Sequence, residues 1–185
     1  GLLYPLAKLN IPIQVVCVTG NHGSSEHKGM DSFKAGRFSY DFVIHNTLKR
    51  YCELKGFNHI KFSIPDGTFG HTEIYGKTAI YEHGYHNPQT EKGMQDQMAK
   101  RGNQLRVYPT YWRQGDKHHT IQFQNSHLCC NGAFFGIEDE GIEYSGILGF
   151  NSDPTQTIMF HVEDNARGRS NIKETINIQV HPRGE

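Results

Sequence analysis

The sequence predicts an α/β fold, on three observations. The apolar run Val15 to Val18 ends in Gly20-Asn21-His22-Gly23, the pattern of a buried strand opening into a loop. From Phe38 to Leu54, Phe38, Phe42, Leu48 and Cys52 recur at helical spacing, with Tyr40, Val43, Ile44 and Tyr51 widening the apolar face. His59 to Ile64 then alternates Ile60, Phe62 and Ile64, as a half-buried strand does. In α/β proteins ligands bind at such strand ends, which puts the first attention on Asn21 and His22.

At 185 residues the chain is long enough for one domain with a real core, and residues 1–185 are read as that single domain. Apolar residues make up 36% and aromatics are spread throughout, so disorder is expected only in the C-terminal tail. Lys+Arg and Asp+Glu balance at 19 each, which argues against a broad basic face for nucleic acid but not against a local patch. Twelve histidines raise the prior for metal or acid–base chemistry. Cys17, Cys52, Cys129 and Cys130 lack CxxC spacing and read as reduced, buried thiols of a cytoplasmic protein. No apolar run approaches the roughly 20 residues of a membrane span, and no signal peptide pattern is present. The chain begins at Gly1, not Met, which suggests a piece of a longer protein.

In order along the chain, Leu2, Leu3, Leu6 and Leu9 suggest the last turns of a helix, broken at Asn10-Ile11-Pro12. Ile13 to Val18 is the first strand, and the polar residues Gly23 to Gly36 read as a surface loop. Gly56 caps the helix that ends at Leu54, and Pro65-Asp66-Gly67 is a turn. Thr72 to Tyr75 and Thr78 to Glu82 read as a hairpin joined at Gly76-Lys77, its second strand delivering His83-Gly84. Residues 87–104 fit either a mobile loop or an exposed helix. Val107 to Trp112 is aromatic-rich and leads to Gly115-Asp116-Lys117-His118-His119. Ile121 to Phe123, Leu128 to Asn131, Thr157 to Val162 and Ile172 to Val180 are further strands, with a loop or short helix over Glu138 to Glu143.

Three strand ends thus present Gly-Asn-His, His-Gly and Gly-Asp-Lys-His-His in that order. Each is weak alone, a turn or an exposed histidine more often than a site. Their order resembles the second half of the calcineurin-like metallophosphoesterase superfamily, in its phage and bacterial members, whose later motifs run Gly-Asn-His-Asp/Glu, Gly-His or His-Gly, and Gly-His-x-His. The resemblance implies a metallophosphoesterase-like sandwich of two mixed β-sheets flanked by helices, N-terminally incomplete. It implies that Asn21, His83, Asp116 and His118 are metal ligands, with His119 the alternative if the register slips by one. His22 would contact the scissile phosphate and assist the leaving group. Two divalent metal ions are implied in the complete protein, Mn foremost, with Zn, Fe or Mg as alternatives. Two cations about 3.5–4 Å apart hold a bridging hydroxide as nucleophile and neutralise phosphate oxygens. Asp116 stands where the family usually has His, and its added charge is expected to favour Mn over Zn.

The departures are as informative. Gly23 replaces the acidic residue that usually follows Gly-Asn-His, and Tyr85 follows His83-Gly84 where relatives often have Asp. Only twenty residues precede Asn21 and none is Asp or His, so the motifs that in the family supply the first metal's Asp and His and the Asp bridging both metals are not in this chain. The expectation is the C-terminal portion of a hydrolase that cleaves a phosphodiester, in DNA, RNA or a nucleotide, with a non-catalytic binding or scaffold domain of the same fold as the alternative. His45, His59, His71 and His127 are expected to be structural, and His27 and His86, in polar loops near the site, to be solvated, with contact to substrate as the alternative. Tyr108, Tyr111 and Trp112 are core residues or base-stacking ones. Arg101, Arg106, Arg113 and Lys117 either meet phosphate or form a scattered solvated face.

Overall fold

The computed structural model describes residues 3–23, 36–134, 155–163 and 171–179, and the chain divides into two compact units, Gly1–Gly70 and His71–Glu185. The expected loop over residues 24–35 and the acidic stretch Glu138 to Glu143 lie outside the described residues.

In the first unit α1 (Leu3–Ala7) leads to β1 (Ile13–Val16), a 3-10 turn at Gly36–Phe38, α2 (Tyr40–Leu54) and β2 (Ile60–Ser63). β1 and β2 are parallel, in register from Ile13 opposite Ile60 to Val16 opposite Ser63. Parallel neighbours need a crossover, and α2 supplies it. Ala7, Cys52 and Ile60 are buried together, with Leu3, Ile13, Val15, Phe57 and Phe62 packed on them. Ser39 starts α2 by accepting the Asp41 N–H on its Oγ at 3.1 Å. Gly56, at φ 76°, ends it as the sequence predicts: its N–H and that of Phe57 bond back to the Glu53 and Cys52 carbonyls. His59 is structural, as expected, its Nε2 lying 2.9 Å from the Ala7 carbonyl.

The face of α2 departs from the expectation. Cys52 is its one buried residue, while Tyr40, Val43 and Ile44 are about 60% exposed and Tyr51 is 47% exposed. Two strands of four residues each offer room for one narrow stripe of a 15-residue helix, so the wider apolar face is left uncovered within this unit.

The second unit is built on a five-stranded sheet of order β3-β4-β5-β7-β6. Its strands are β3 (Phe69–Ile74), β4 (Lys77–Glu82), β5 (Pro109–Gln114), β6 (Ile121–Phe123) and β7 (Leu128–Cys130). β4, β5 and β7 run parallel and β6 is antiparallel to β7, so the sheet is mixed. Tyr75 (φ 48°) and Gly76 (φ 74°) form the tight turn between β3 and β4, one residue earlier than the sequence suggests, because both central positions of such a turn need positive φ. Residues 87–104 resolve largely into a helix, α3 (Glu91–Leu105), started by Thr90, whose Oγ1 accepts the Gly93 N–H. Met94 is fully buried, and a Cβ on Gly102 would stand 2.6 Å from Pro109 Cδ, so the helix lies close against the start of β5.

A second hairpin, β8 (Thr155–His161) with β9 (Ile172–Gln179), is antiparallel. Asn131, just past β7, receives it: its Oδ1 accepts the Thr157 N–H at 2.8 Å and its Nδ2 donates to Gln156. Ala79, Tyr111 and Ile172 are buried together between sheet and hairpin, with Ile74, Tyr81 and Met159 packed on them. The Tyr111 hydroxyl donates to Asn171 Oδ1, which also meets His161 Nδ1 at 2.8 Å. The chain is therefore mixed α/β, with a mixed sheet flanked by helix; the two remaining sheets, β1–β2 and β8–β9, are a parallel and an antiparallel pair.

Candidate functional site

In the register of the three parallel strands Glu82, Gln114 and Cys130 stand side by side. The next residues, His83, Gly115 and Asn131, therefore leave the sheet at one level on its carboxyl edge, where α/β proteins bind ligands. Two backbone bonds fix this edge, from Gly115 N–H to the His83 carbonyl and from Asn131 N–H to the Gln114 carbonyl, both 2.8 Å.

Here two residues from separate motifs meet. His83 Nε2 lies 3.0 Å from Asp116 Oδ1, and the Lys117 ammonium lies 3.0 Å from Asp116 Oδ2. Lys117 Nζ also donates to the Tyr85 carbonyl at 2.9 Å. The side chains of Asp116 and Lys117 are each 14% exposed, and that of His83 is 33% exposed. Burial pushes the Asp116 carboxyl up, but hydrogen bonds and charge from His83 and Lys117 outweigh it and hold the group below its ordinary value. Asp116 (φ 70°) and His118 (φ 59°) both take left-handed backbone, a conformation that costs non-glycine residues energy and gathers at functional sites.

The edge rests on a rigid base. Gln114 is buried, accepting from the Trp112 indole at 2.8 Å and donating to the Pro88 carbonyl at 3.3 Å. Arg101 grips Glu82 with two bonds, 3.0 and 2.6 Å, tying α3 to the end of β4. The Cys130 thiol reaches the Gly115 carbonyl at 3.4 Å, and burial with the neighbouring Cys129 pushes it up to about 11, so it stays protonated. All four cysteines are free and buried.

Of the sequence candidates, His83 and Asp116 are brought together. His118 follows two residues beyond Asp116, and no three His, Cys, Asp or Glu among the described residues form a metal-holding group. Asn21 and His22 belong to the first unit. There Asn21 is 6% exposed just past β1, and His22 is exposed. The loop that carries them lies on the start of α2: Gly20 N–H donates to Asp41 Oδ2 at 2.8 Å, and Tyr40 N–H to the Gly23 carbonyl at 2.7 Å. A Cβ on Gly23 would fall 2.2 Å from Ser39 Oγ and 2.5 Å from Asp41 Oδ2. The Asp41 carboxylate thus lies beside Gly23.

The basic set separates. Arg101 is a structural clamp, and Arg113 lies half-buried with Nη1 on the Trp112, Ser126 and His127 carbonyls. Burial lowers the Arg113 guanidinium from its ordinary value, against the pull of Cys129, Tyr81 and Tyr111. Lys117 contacts Asp116 of the His83–Asp116 pair, a role that its place in a scattered basic set did not disclose. Tyr111 and Trp112 are fully buried, as core residues, whereas Tyr108 is 98% exposed.

The donors suit a divalent cation in kind. His83 Nε2 and Asp116 Oδ1, 3.0 Å apart, meet each other directly, and a cation held by both would take the place of that contact. They are two donors of a shell; Mg²⁺-type cations accept one or two protein ligands and complete the shell with water and phosphate oxygens.

No protein-family model matches the chain, and no curated protein matches it. Among solved structures it is similar to a Vps29 double mutant from Entamoeba histolytica, at 16% identity and a TM-score of 0.39, over 94% of this chain and 87% of that one. A likeness of that degree carries no argument about activity, which belongs to sites and not to folds. No helix of the described residues is long and apolar enough to cross a membrane.

Proposed function

We propose that this chain is part of a metal-dependent phosphoesterase that hydrolyses a phosphodiester of nucleic acid or nucleotide type, with His83 and Asp116 holding a divalent cation, Mn foremost. One observation carries this: residues of two separate motifs meet at 3.0 Å on the carboxyl edge of adjacent parallel strands. The order of the three strand-end motifs, which resembles metallophosphoesterases, supports the choice of phosphoester over other substrates. Asp116, kept ionised by its neighbours, orients His83 and supplies the charge that attracts a cation. A cation bound there neutralises phosphoryl oxygens and activates water.

The test is Mn²⁺-dependent hydrolysis of bis(p-nitrophenyl) phosphate and of a dinucleotide by the purified protein, with His83→Ala and Asp116→Ala beside the parent. Both variants are expected to lose on the order of a hundredfold or more in rate. Parental hydrolysis that survives both substitutions overturns the proposal.

A second reading, a non-catalytic binding or scaffold domain, is favoured by the occupation of both Asp116 oxygens, one by His83 and one by Lys117. It expects no Mn²⁺ binding by the parent and no hydrolysis.

A further inference from the structure

Asp116 offers two carboxylate oxygens, and the chain has already given one of them, Oδ2, a cation of its own. Lys117 Nζ sits 3.0 Å from Oδ2, and its side chain is as enclosed as the carboxylate it pairs with. The Tyr85 carbonyl, 2.9 Å away, fixes the ammonium from another side. This is not a loose surface pair, which would leave both groups in water and contribute little. An ammonium has three N–H donors; two have partners here, so a third can be donated to a ligand oxygen. Asp116 and His118, on either side of Lys117, both take left-handed backbone, which costs non-glycine residues energy.

We propose that Lys117 is the resident cation of this site. It pairs with Asp116 Oδ2, beside the Oδ1 that faces His83, and so competes for the carboxylate's charge with any divalent ion held there, and it binds a phosphoryl oxygen directly through its remaining N–H. The inference rests on the assignment of His83 and Asp116 to a phosphoester site, and it narrows that assignment: Asp116 shares its charge between a metal and a lysine, so metal affinity in the absence of substrate is weak. Phosphoester binding then has a component that needs no metal.

The test uses the whole chain with two probes, Mn²⁺ alone and inorganic phosphate in a chelating buffer, each titrated by calorimetry against the parent, Lys117→Met, Lys117→Arg and Asp116→Ala. Thermal melts confirm that each variant is folded. Removing a charge-assisted competitor from Asp116 is expected to tighten Mn²⁺ binding in Lys117→Met by about tenfold or more. The same variant should weaken phosphate binding by about fivefold or more, with Lys117→Arg retaining it. Unchanged Mn²⁺ affinity in Lys117→Met overturns the inference, as does unchanged phosphate affinity. Asp116→Ala separates the two levels. If it abolishes Mn²⁺ binding while Lys117→Met changes nothing, the inference fails and the phosphoester site stands; if it binds Mn²⁺ as the parent does, the site assignment itself fails.

Discussion

The close approach of two glycines at the carboxyl edge sets up a sharp comparison. Gly84 has φ +105°, and a Cβ there would stand 2.9 Å from the Gly115 carbonyl oxygen and 3.2 Å from Gln114 Cβ. Neither neighbour has room to yield, since Gln114 is 4% exposed and Gly115 N–H is bonded to the His83 carbonyl at 2.8 Å. Forcing an L-residue into that backbone costs about 1–3 kcal/mol, and losing the His83–Gly115 bond costs about 0.5–1.5 kcal/mol more. Gly84→Ala should therefore destabilise the protein by about 1.5–4.5 kcal/mol. Gly115 faces it across the same strand pair, yet a Cβ there meets only the His83 carbonyl, at an ordinary 3.5 Å, and needs no left-handed backbone. Gly115→Ala should stay within about 1 kcal/mol of the parent, helped by the lower entropy of its unfolded chain. Equilibrium urea unfolding, followed by fluorescence of the single, fully buried Trp112 in β5, measures both. If Gly84→Ala cost no more than Gly115→Ala, contact between the two strand ends would not be what sets their spacing.

Arg101→Lys should cost about 1–2 kcal/mol in the same assay, because an ammonium cannot make the two parallel bonds to Glu82 that a guanidinium makes. Acidification from pH 7.5 to 5 should weaken the fold through two histidines. Burial lowers both His45 and His127 from their ordinary value, against the pull of Asp41 on His45 and together with Arg113 and His161 on His127. Groups kept neutral in the native state take up protons on unfolding, so their stabilisation is complete above the ordinary value near 6.5 and is lost as pH falls through the lowered native one. Each contributes a slope of at most about 1.4 kcal/mol per pH unit. Urea midpoints between pH 7.5 and 5 should fall for the parent and flatten in the His45→Gln, His127→Gln double variant; equal slopes would refute this.

Local elements were legible in the sequence because they depend on neighbours a few residues apart. The Ile60 and Phe62 alternation, the Gly56 cap and the apolar run before Asn21 each describe an element found close to where it was read. The α2 period was right and its burial was not. A helical stripe shows that one face is apolar, whereas the area of sheet beneath it decides how much of that face is covered. The helix α3 was ambiguous for a related reason. Its mostly polar sequence gives little periodic signal, and what anchors it is the buried Met94, the close approach of Gly102 to Pro109 and the Arg101–Glu82 clamp.

By itself, the sequence determined which residues stand at strand ends, because apolar runs and glycines mark those ends through short-range sterics and burial. Only the tertiary structure decided that His83 meets Asp116, that Lys117 holds the other carboxylate oxygen and that Asp41 lies beside Gly23. Such partners are distant along the chain or turned by left-handed backbone, and they come within hydrogen-bond reach only once parallel strands pair in register and a helix start docks under its loop.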